Sequence, residues 1–175
     1  MEVMDAIYRR RSVRKFADRA VSREDLRQII AAGMMAPSAG NQQPWHFITV
    51  TDPTMLKRVV DVNPNARMAI GAPAGILVCG DTELEMHDGY WIQDCSAAVQ
   101  NMLLAVHAMG LGAVWTGTWP RPERVAGFRD LFDLPDTVNP LAFIVLGYPK
   151  EGTKPQDPPD RFREDRIHEE RWSKT

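Results

Sequence analysis

The sequence is short of cysteine, of long apolar runs and of any excess of charge of one sign. Its 175 residues include two cysteines, Cys79 and Cys95, which lie in apolar surroundings without a CxxC pair, so a disulfide scaffold and a zinc site are disfavoured. No apolar stretch approaches the ~18–20 residues of a membrane span, and no secretory signal is visible at the N-terminus. With 21 basic and 23 acidic residues, the net charge is -2. This balance argues against a basic surface over the whole chain that would bind nucleic acid or membrane. These absences predict a soluble, cytoplasmic protein in a reducing compartment.

The spacing of apolar residues predicts helices and strands in irregular alternation. Ser22 followed by Asp25 resembles a capping box, and Asp52-Pro53 is a good helix start. Helices are expected at 2–8, 23–35, just after Pro53, 89–109 and 122–132, and strands at 46–51, 74–79, 111–116 and 141–146. We therefore predict a single-domain α+β fold with a mixed sheet flanked by helices.

The tail after residue 147 changes character. It is rich in proline and charge, yet it carries Ile167 and Trp172, which have no local core to join. Such a tail is either disordered or wrapped over another surface, such as a second subunit.

Residues 9–15, Arg-Arg-Arg-Ser-Val-Arg-Lys, form the first candidate site. A charge run is usually a solvated surface and occasionally a nucleic-acid patch. Ser12 and Arg14 follow directly after a helix, however, and arginine forks bind phosphate through two parallel hydrogen bonds. No further basic tract accompanies the run, so a small phosphate ester is the better ligand.

Residues 36–45, Ala-Pro-Ser-Ala-Gly-Asn-Gln-Gln-Pro-Trp, form a second candidate. Prolines, glycine and asparagine make turns in any protein. This loop also places one hydroxyl and three carboxamides between two prolines, and carboxamides suit the edge of a heterocycle or a ribityl chain. The loop therefore indicates a ligand site.

Residues 110–118 carry three glycines but do not match a dinucleotide fingerprint, since Trp115 replaces its third glycine and the segment follows a helix. The alternative is that glycine lets backbone amides approach a flat ligand. The four histidines are scattered without an HExxH pair, which favours packing or surface roles over metal binding.

Taken together, these segments resemble the nitroreductase family of flavin mononucleotide (FMN) oxidoreductases. The resemblance covers nearly the whole chain. It rests on residues 10–16, Arg-Arg-Ser-Val-Arg-Lys-Phe, and on the Pro-Ser-Ala-Gly-Asn-Gln-Gln-Pro-Trp loop. It continues through residues 94–117, Gly147-Tyr148-Pro149 and Arg161-Phe162. The short length resembles the compact members of that family.

The resemblance implies an intertwined homodimer with FMN at the subunit interface. Residues 1–147 would form the FMN-binding core, with a mainly antiparallel sheet, and residues 148–175 would embrace the partner subunit. It also implies a set of flavin contacts. The phosphate or ribityl end would be held by Arg10, Arg11 and Ser12 together with Arg161, and Arg14 would reach the ribityl or pyrimidine side. The other subunit would contribute Pro37, Ser38, Ala39 and Asn41. Thr116 and Gly117 would present backbone N–H groups near N5 and O4, and Arg67, with Asn65 as second choice, would lie near the pyrimidine.

The activity implied by the resemblance is ping-pong hydride transfer from NADH or NADPH, through flavin N5, to a nitroaromatic, a quinone or a related small acceptor. No side-chain acid or base is then obligatory, so no catalytic residue and no metal site are predicted. Trp119 lies where an aromatic residue over the substrate pocket is expected. Two alternatives stay open: another flavin enzyme of the same fold, acting in reductive dehalogenation or flavin cleavage, and a basic module that binds nucleic acid.

Overall fold

The computed structural model describes residues 1–152 and 157–172, and it shows five α-helices and four β-strands in those ranges. In chain order these are α1 (Val3–Arg9), α2 (Arg23–Met34), β1 (Trp45–Val50), α3 (Pro53–Val62), β2 (Ala74–Asp81), α4 (Trp91–Ala108), β3 (Gly112–Gly117), α5 (Pro122–Phe132) and β4 (Val138–Gly147). Short 3-10 helices lie at Ala39–Asn41, Pro64–Gly71, Thr82–Leu84 and Glu164–Arg166.

The four strands form one sheet in the order β1-β2-β4-β3, with each neighbouring pair antiparallel. A parallel bridge between Ser12 and Ala113 adds the segment after α1 to the outer side of β3. The two middle strands are buried along most of their length, as the apolar run at 74–79 predicts. The predicted α+β class is thereby confirmed.

Two hydrophobic clusters cover the two faces of the sheet. One contains the buried side chains of α2 and α4, including Ile29 and Met102, packed against Ile144. The other contains those of α3 and α5, including Leu56 and Phe128, packed against Phe143. Because each buried side chain of this size contributes ~1.5–3 kcal/mol, these two layers carry most of the stability of the fold.

The predicted helix starts agree with the structure. Ser22 accepts a hydrogen bond from the backbone N–H of Asp25, whose carboxylate accepts one from Ser22 N–H, so the capping box is complete. Asp52 caps α3 through the N–H of Thr54, and α3 runs for 10 residues. The 3-10 helix at Pro64–Gly71 was not predicted.

The C-terminal extension starts along the same segment that joins β3. Phe16 forms an antiparallel bridge with Pro149, and Ala17 N–H donates to Tyr148 O at 2.8 Å. Residues 153–156 and 173–175 of the predicted wrapping tail lie outside the described residues. In the part that is described, Trp172 is 81% exposed and Ile167 is 54% exposed.

None of the helices in the described part of the chain has the length and apolar character that a bilayer crossing requires.

Candidate active site

A cleft of about 480 Å³ opens between the segment after α1, the C-terminal end of α4 and the start of β3. The segment is held against β3 because Val13 N–H donates to Ala113 O at 2.9 Å. Gly112 permits this close approach, since a Cβ there would lie 2.6 Å from Val13 Cβ. The cleft thus brings together four of the predicted residues, Arg10, Arg11, Ser12 and Arg14, along with Leu103, Val106, His107 and residues 110–113.

The guanidinium group of Arg10, in this cleft, is affected by two others. Burial and the like charges of Arg11 and Arg161 lower the pKa of Arg10. Arg161, from the C-terminal extension, is therefore close enough to Arg10 for its charge to be felt there. A bound anion would offset this repulsion, and arginine is well suited to a phosphate group.

The Arg11 side chain is bonded mainly to backbone carbonyls. Its Nη1 donates to Tyr8 O and Arg10 O, both at 2.7 Å, and its Nη2 donates to Asp157 O at 3.0 Å. The first two bonds satisfy carbonyls at the C-terminal end of α1. The third fixes the C-terminal extension to the cleft, so Arg11 connects the extension to the segment that carries Arg10 and Ser12.

His107 also lines the cleft, and sequence reasoning had assigned it to packing or surface. Burial and the charges of Arg10 and Arg11 lower its pKa, which favours the neutral imidazole. Its Nε2 is buried without a hydrogen-bond partner among the described residues. The sequence feature that could have indicated its place in the cleft is its position in α4, one turn after Leu103 and shortly before Gly110.

The second predicted group lies at the opposite end of α4. Ala39 N–H donates to Asp94 Oδ1 at 3.0 Å, and Asp94 stands in the first turn of the helix. His107 stands in the last turn. With a rise of 1.5 Å per residue, the 13 steps along the helix from Asp94 to His107 span about 20 Å. Within one copy of the chain, the loop that contains Pro37, Ser38, Ala39 and Asn41 is therefore distant from the cleft lined by Arg10, Arg11 and Arg14, the arginine cleft.

The remaining predicted residues lie near the end of β3. The Thr116 hydroxyl is buried and donates to Phe143 O at 2.7 Å, so its side chain is committed to the sheet. Gly117 O accepts from Asn63 Nδ2 at 3.3 Å and from Arg124 Nη1 at 2.9 Å. Asn63 is fully buried and begins the 3-10 helix that carries Arg67, which is exposed and outside the cleft lining.

Asn63 and Arg124 had not been singled out from the sequence. Only the Asn63-Pro64 pair, a common start for a short helix, offered a signal.

Neither cysteine is suited to nucleophilic chemistry. Both thiols are buried, and burial raises the pKa of Cys79 to about 12 and raises that of Cys95 as well. Both therefore stay protonated at neutral pH, as inert core thiols. Across 1–152 and 157–172, no group of three or more His, Cys, Asp or Glu side chains could hold a metal ion.

A comparison with protein families decides the assignment. The family model described as "Nitroreductase family" matches residues 7–68 and 61–148, which together span most of the chain. The chain belongs to the nitroreductase family. The family predicted from the basic segment and the proline-bounded loop is thereby confirmed.

Relatives of this nitroreductase include proteins of similar length. A protein of Methanothermobacter thermautotrophicus, provisionally named NADH dehydrogenase/NAD(P)H nitroreductase, is 49% identical over 174 residues, which cover 98% of this chain and 88% of the relative. A crystal structure of a protein with the same provisional name from Parabacteroides distasonis has a TM-score of 0.91 at 42% identity, covering 97% of this chain and 98% of that one.

A third similar protein was solved with a bound ligand. The structure, from Desulfovibrio desulfuricans, is described as a provisionally assigned nitroreductase in complex with FMN. It has a TM-score of 0.76 at 35% identity, covering 90% of this chain and 92% of that one. The predicted enzyme class, a nitroreductase-family oxidoreductase, is confirmed, and the predicted cofactors, FMN with NADH or NADPH, are those that these relatives' names carry.

Proposed function

We propose that this nitroreductase is a homodimeric enzyme that binds FMN at the arginine cleft and uses NADH or NADPH to reduce small acceptors such as nitroaromatics or quinones. The observation that carries the proposal is a cleft lined by Arg10, Arg11 and Ser12, in which burial and the like charges of Arg11 and Arg161 lower the pKa of Arg10. Such a cluster of cations is stabilised by a bound anion, and the phosphate of FMN is the anion that the family's cofactor provides.

The residues present fit this cofactor. Arg10 and Ser12 line the cleft and offer a charged and a neutral donor to a phosphate, and Arg14 lines the same cleft. Arg161 is exposed, and its charge acts on Arg10. Leu103 and Val106 give the cleft an apolar wall of the kind that suits a flat ring system. When bound, FMN supplies a ring whose N5 accepts and returns hydride, so the chain needs no acid or base of its own for that chemistry.

Two observations support a second copy of the chain as the partner. The loop that contains Ser38 and Asn41 is about 20 Å along α4 from the cleft, so a symmetric partner has to supply it if both contact one flavin. Large apolar side chains also stay exposed on α1, after α2 and on the C-terminal extension: Val3, Met4, Ile7, Met35, Phe162, Ile167 and Trp172. Burying a side chain of this size contributes ~1.5–3 kcal/mol, which favours an extension wrapped over the partner.

We also propose the remaining predicted contacts, which lie outside the lining of the arginine cleft. Arg67 and the backbone of Thr116 and Gly117 would face the ring, and Asn63 and Arg124 hold that region through their bonds to Gly117 O. Trp119, partly exposed and in edge-to-face contact with Trp91 at 5.1 Å, would border the acceptor. The two buried free thiols support a reducing location such as the cytoplasm.

A comparison of flavins tests the cofactor site. The apoprotein is titrated with FMN and with riboflavin, and quenching of flavin fluorescence gives each dissociation constant. We expect FMN to bind at least about tenfold more tightly, because charge-assisted bonds to phosphate contribute ~1.5–3 kcal/mol. Equal affinities would refute the phosphate role of the cleft, and binding of neither flavin would refute the proposal as a whole.

Kinetics and sedimentation test the remaining parts. The FMN-loaded protein is reduced anaerobically with NADH or NADPH and then mixed with nitroaromatic, quinone or haloaromatic acceptors. Parallel double-reciprocal lines indicate ping-pong turnover, and the best acceptor separates a nitroreductase from a dehalogenase.

Sedimentation velocity should give a dimer. A gel-shift titration with duplex DNA tests the alternative of a basic nucleic-acid module, which predicts salt-dependent binding without colour.

A further inference from the structure

The loop at residues 38–43 has an unusual backbone. Gly40, Asn41 and Gln43 all have positive φ, at 54°, 59° and 48°. For the two residues other than glycine this left-handed conformation is uncommon, and it persists only where surrounding contacts determine it strongly. Gly40 has a second constraint, since an added Cβ would lie 2.9 Å from Met86 Cε and 3.2 Å from His87 Nε2.

The N–H groups of Asn41 and Gln43 donate to Ser38 O and Ser38 Oγ, both at 3.0 Å. A buried carboxylate and a buried carboxamide anchor the loop at Ala39 and Gln42, next to these residues. Asp94 is 4% exposed and Gln42 is 9% exposed. The two carboxylate oxygens of Asp94 accept from Ala39 N–H at 3.0 Å and from Gln42 Nε2 at 2.7 Å. Gln42 Oε1 in turn accepts from the N–H groups of Met86 and His87 at 2.9 and 3.2 Å. These four bonds join α4, the loop and the 86–87 segment.

The donor and the acceptor of each hydrogen bond in this network are fixed. Ala39 N–H, Met86 N–H and His87 N–H are all donors, so the groups facing them must be acceptors. Asp94 can accept at both oxygens, and this forces the Gln42 amide to point its nitrogen towards Asp94 and its oxygen towards the 86–87 segment. If the carboxylate became an amide, one donor would face another, either at Asp94 or, after a flip of Gln42, at Met86 and His87.

We propose that Asp94 and Gln42 are positioning residues that fix the 38–43 loop in the shape in which it contacts the flavin bound to the partner subunit. The inference rests on the proposed function, because it assumes that this loop meets the flavin. Neither residue touches the cofactor in this account; Asp94 acts through Ala39 and Gln42. Their network anchors the loop at Ala39 and Gln42, next to the left-handed residues, before the cofactor binds, so that less ordering of the loop is needed on binding.

An exchange of the two groups tests the proposal. Asp94→Asn alone places donor against donor, and Gln42→Glu alone places two carboxylates against each other. The combined Asp94→Asn, Gln42→Glu variant restores all four bonds with the same net charge, because the amide introduced at position 94 can accept from Ala39 and donate to the carboxylate introduced at position 42. Asp88→Asn, at an exposed carboxylate near the 86–87 segment, is the matched control.

The dissociation constant for FMN and the visible circular dichroism of bound FMN are measured at a temperature where each variant is folded. We expect the dissociation constant to rise about tenfold or more in each single variant, to return to within about threefold of wild type in the combined variant, and to stay unchanged in Asp88→Asn. The circular dichroism should change in the single variants and recover in the combined one. A role confined to stability would lower the melting temperature and leave both flavin readouts unchanged.

Three results would overturn the inference while leaving the proposed function intact: wild-type FMN affinity in both single variants, a combined variant as weak as the single ones, or wild-type circular dichroism throughout. If the single variants do not fold, the combined variant decides, since wild-type-like binding supports the network and weak binding refutes it. A wild-type chain that binds no FMN would instead refute the proposed function itself.

Discussion

Replacement of Gly112 by alanine should damage both the fold and the proposed cofactor site. Gly112 is where residues 9–15, the arginine segment, meet β3. An added Cβ would lie 2.6, 2.7 and 2.8 Å from Cβ, Cγ2 and Cγ1 of Val13, and the last two belong to a β-branched side chain that cannot rotate out of the way. Val13 must then move outwards and stretch its bond to Ala113 O. Overpacking of this kind costs ~1–3 kcal/mol, and the weakened hydrogen bond adds ~0.5–1.5 kcal/mol.

Urea unfolding should therefore show a free energy of unfolding lower by about 1.5–4.5 kcal/mol in Gly112→Ala. FMN should also bind about tenfold or more weakly, because Arg10 and Ser12 move with Val13. Gly71→Ala is the control, since a Cβ there meets nothing within 4 Å and φ is ordinary, so stability should change little. In a Val13→Gly background the cost of Gly112→Ala should fall below about 0.5 kcal/mol. The reasoning fails if Gly112→Ala keeps wild-type stability, or if the Val13→Gly background leaves its cost unchanged.

Three further predictions concern the cleft, the extension and the core. Arg10→Ala should weaken FMN binding by ~1.5–3 kcal/mol and Ser12→Ala by ~1 kcal/mol, measured by fluorescence titration of the apoprotein; unchanged affinity in both would refute the phosphate assignment. Truncation after Tyr148 should cost both the dimer and bound flavin, and a truncated protein that stays dimeric and yellow in the ultracentrifuge would refute the wrapped extension. The folded pKa of Cys79, about 12, lies above the reference value of 9.0, so the unfolded state loses its proton first and stability falls as pH rises from 9 towards 12. Urea unfolding across that range should show a shallower decline for Cys79→Ala, and identical pH dependence would contradict the assignment.

The sequence predicted the parts of this molecule that depend on local pattern. The capping box at Ser22 and Asp25 follows from side chains three residues apart, and the central position of β2 follows from an unbroken apolar run. The arginine segment was recognisable because its charges and Ser12 are contiguous. In each case the determining residues are neighbours in the chain.

The unpredicted parts depend on pairs that are distant in the chain. Gln42 and Asp94 are 52 residues apart, and each alone is a common residue on a loop or a helix. A guanidinium group donates equally well to a phosphate and to a carbonyl oxygen. The presence of Arg11 in the sequence therefore did not show that its side chain binds Tyr8 O and Asp157 O instead of an anion. His107 was overlooked for a similar reason, because only the fold brings α4 beside the arginines.

The order of the strands leaves β3 at one end of the sheet, and the arginine segment is what lies along its outer side. An uncovered strand of this kind is a template on which other chains can pair and aggregate. The segment that we propose to bind the cofactor phosphate would therefore also shield the sheet from association with its neighbours. We expect loss of the bound anion to restore the repulsion on Arg10, to loosen this segment and to expose the backbone of β3. The proposed site thus predicts that cofactor depletion and precipitation occur together, and saturating FMN during purification should protect the protein from both.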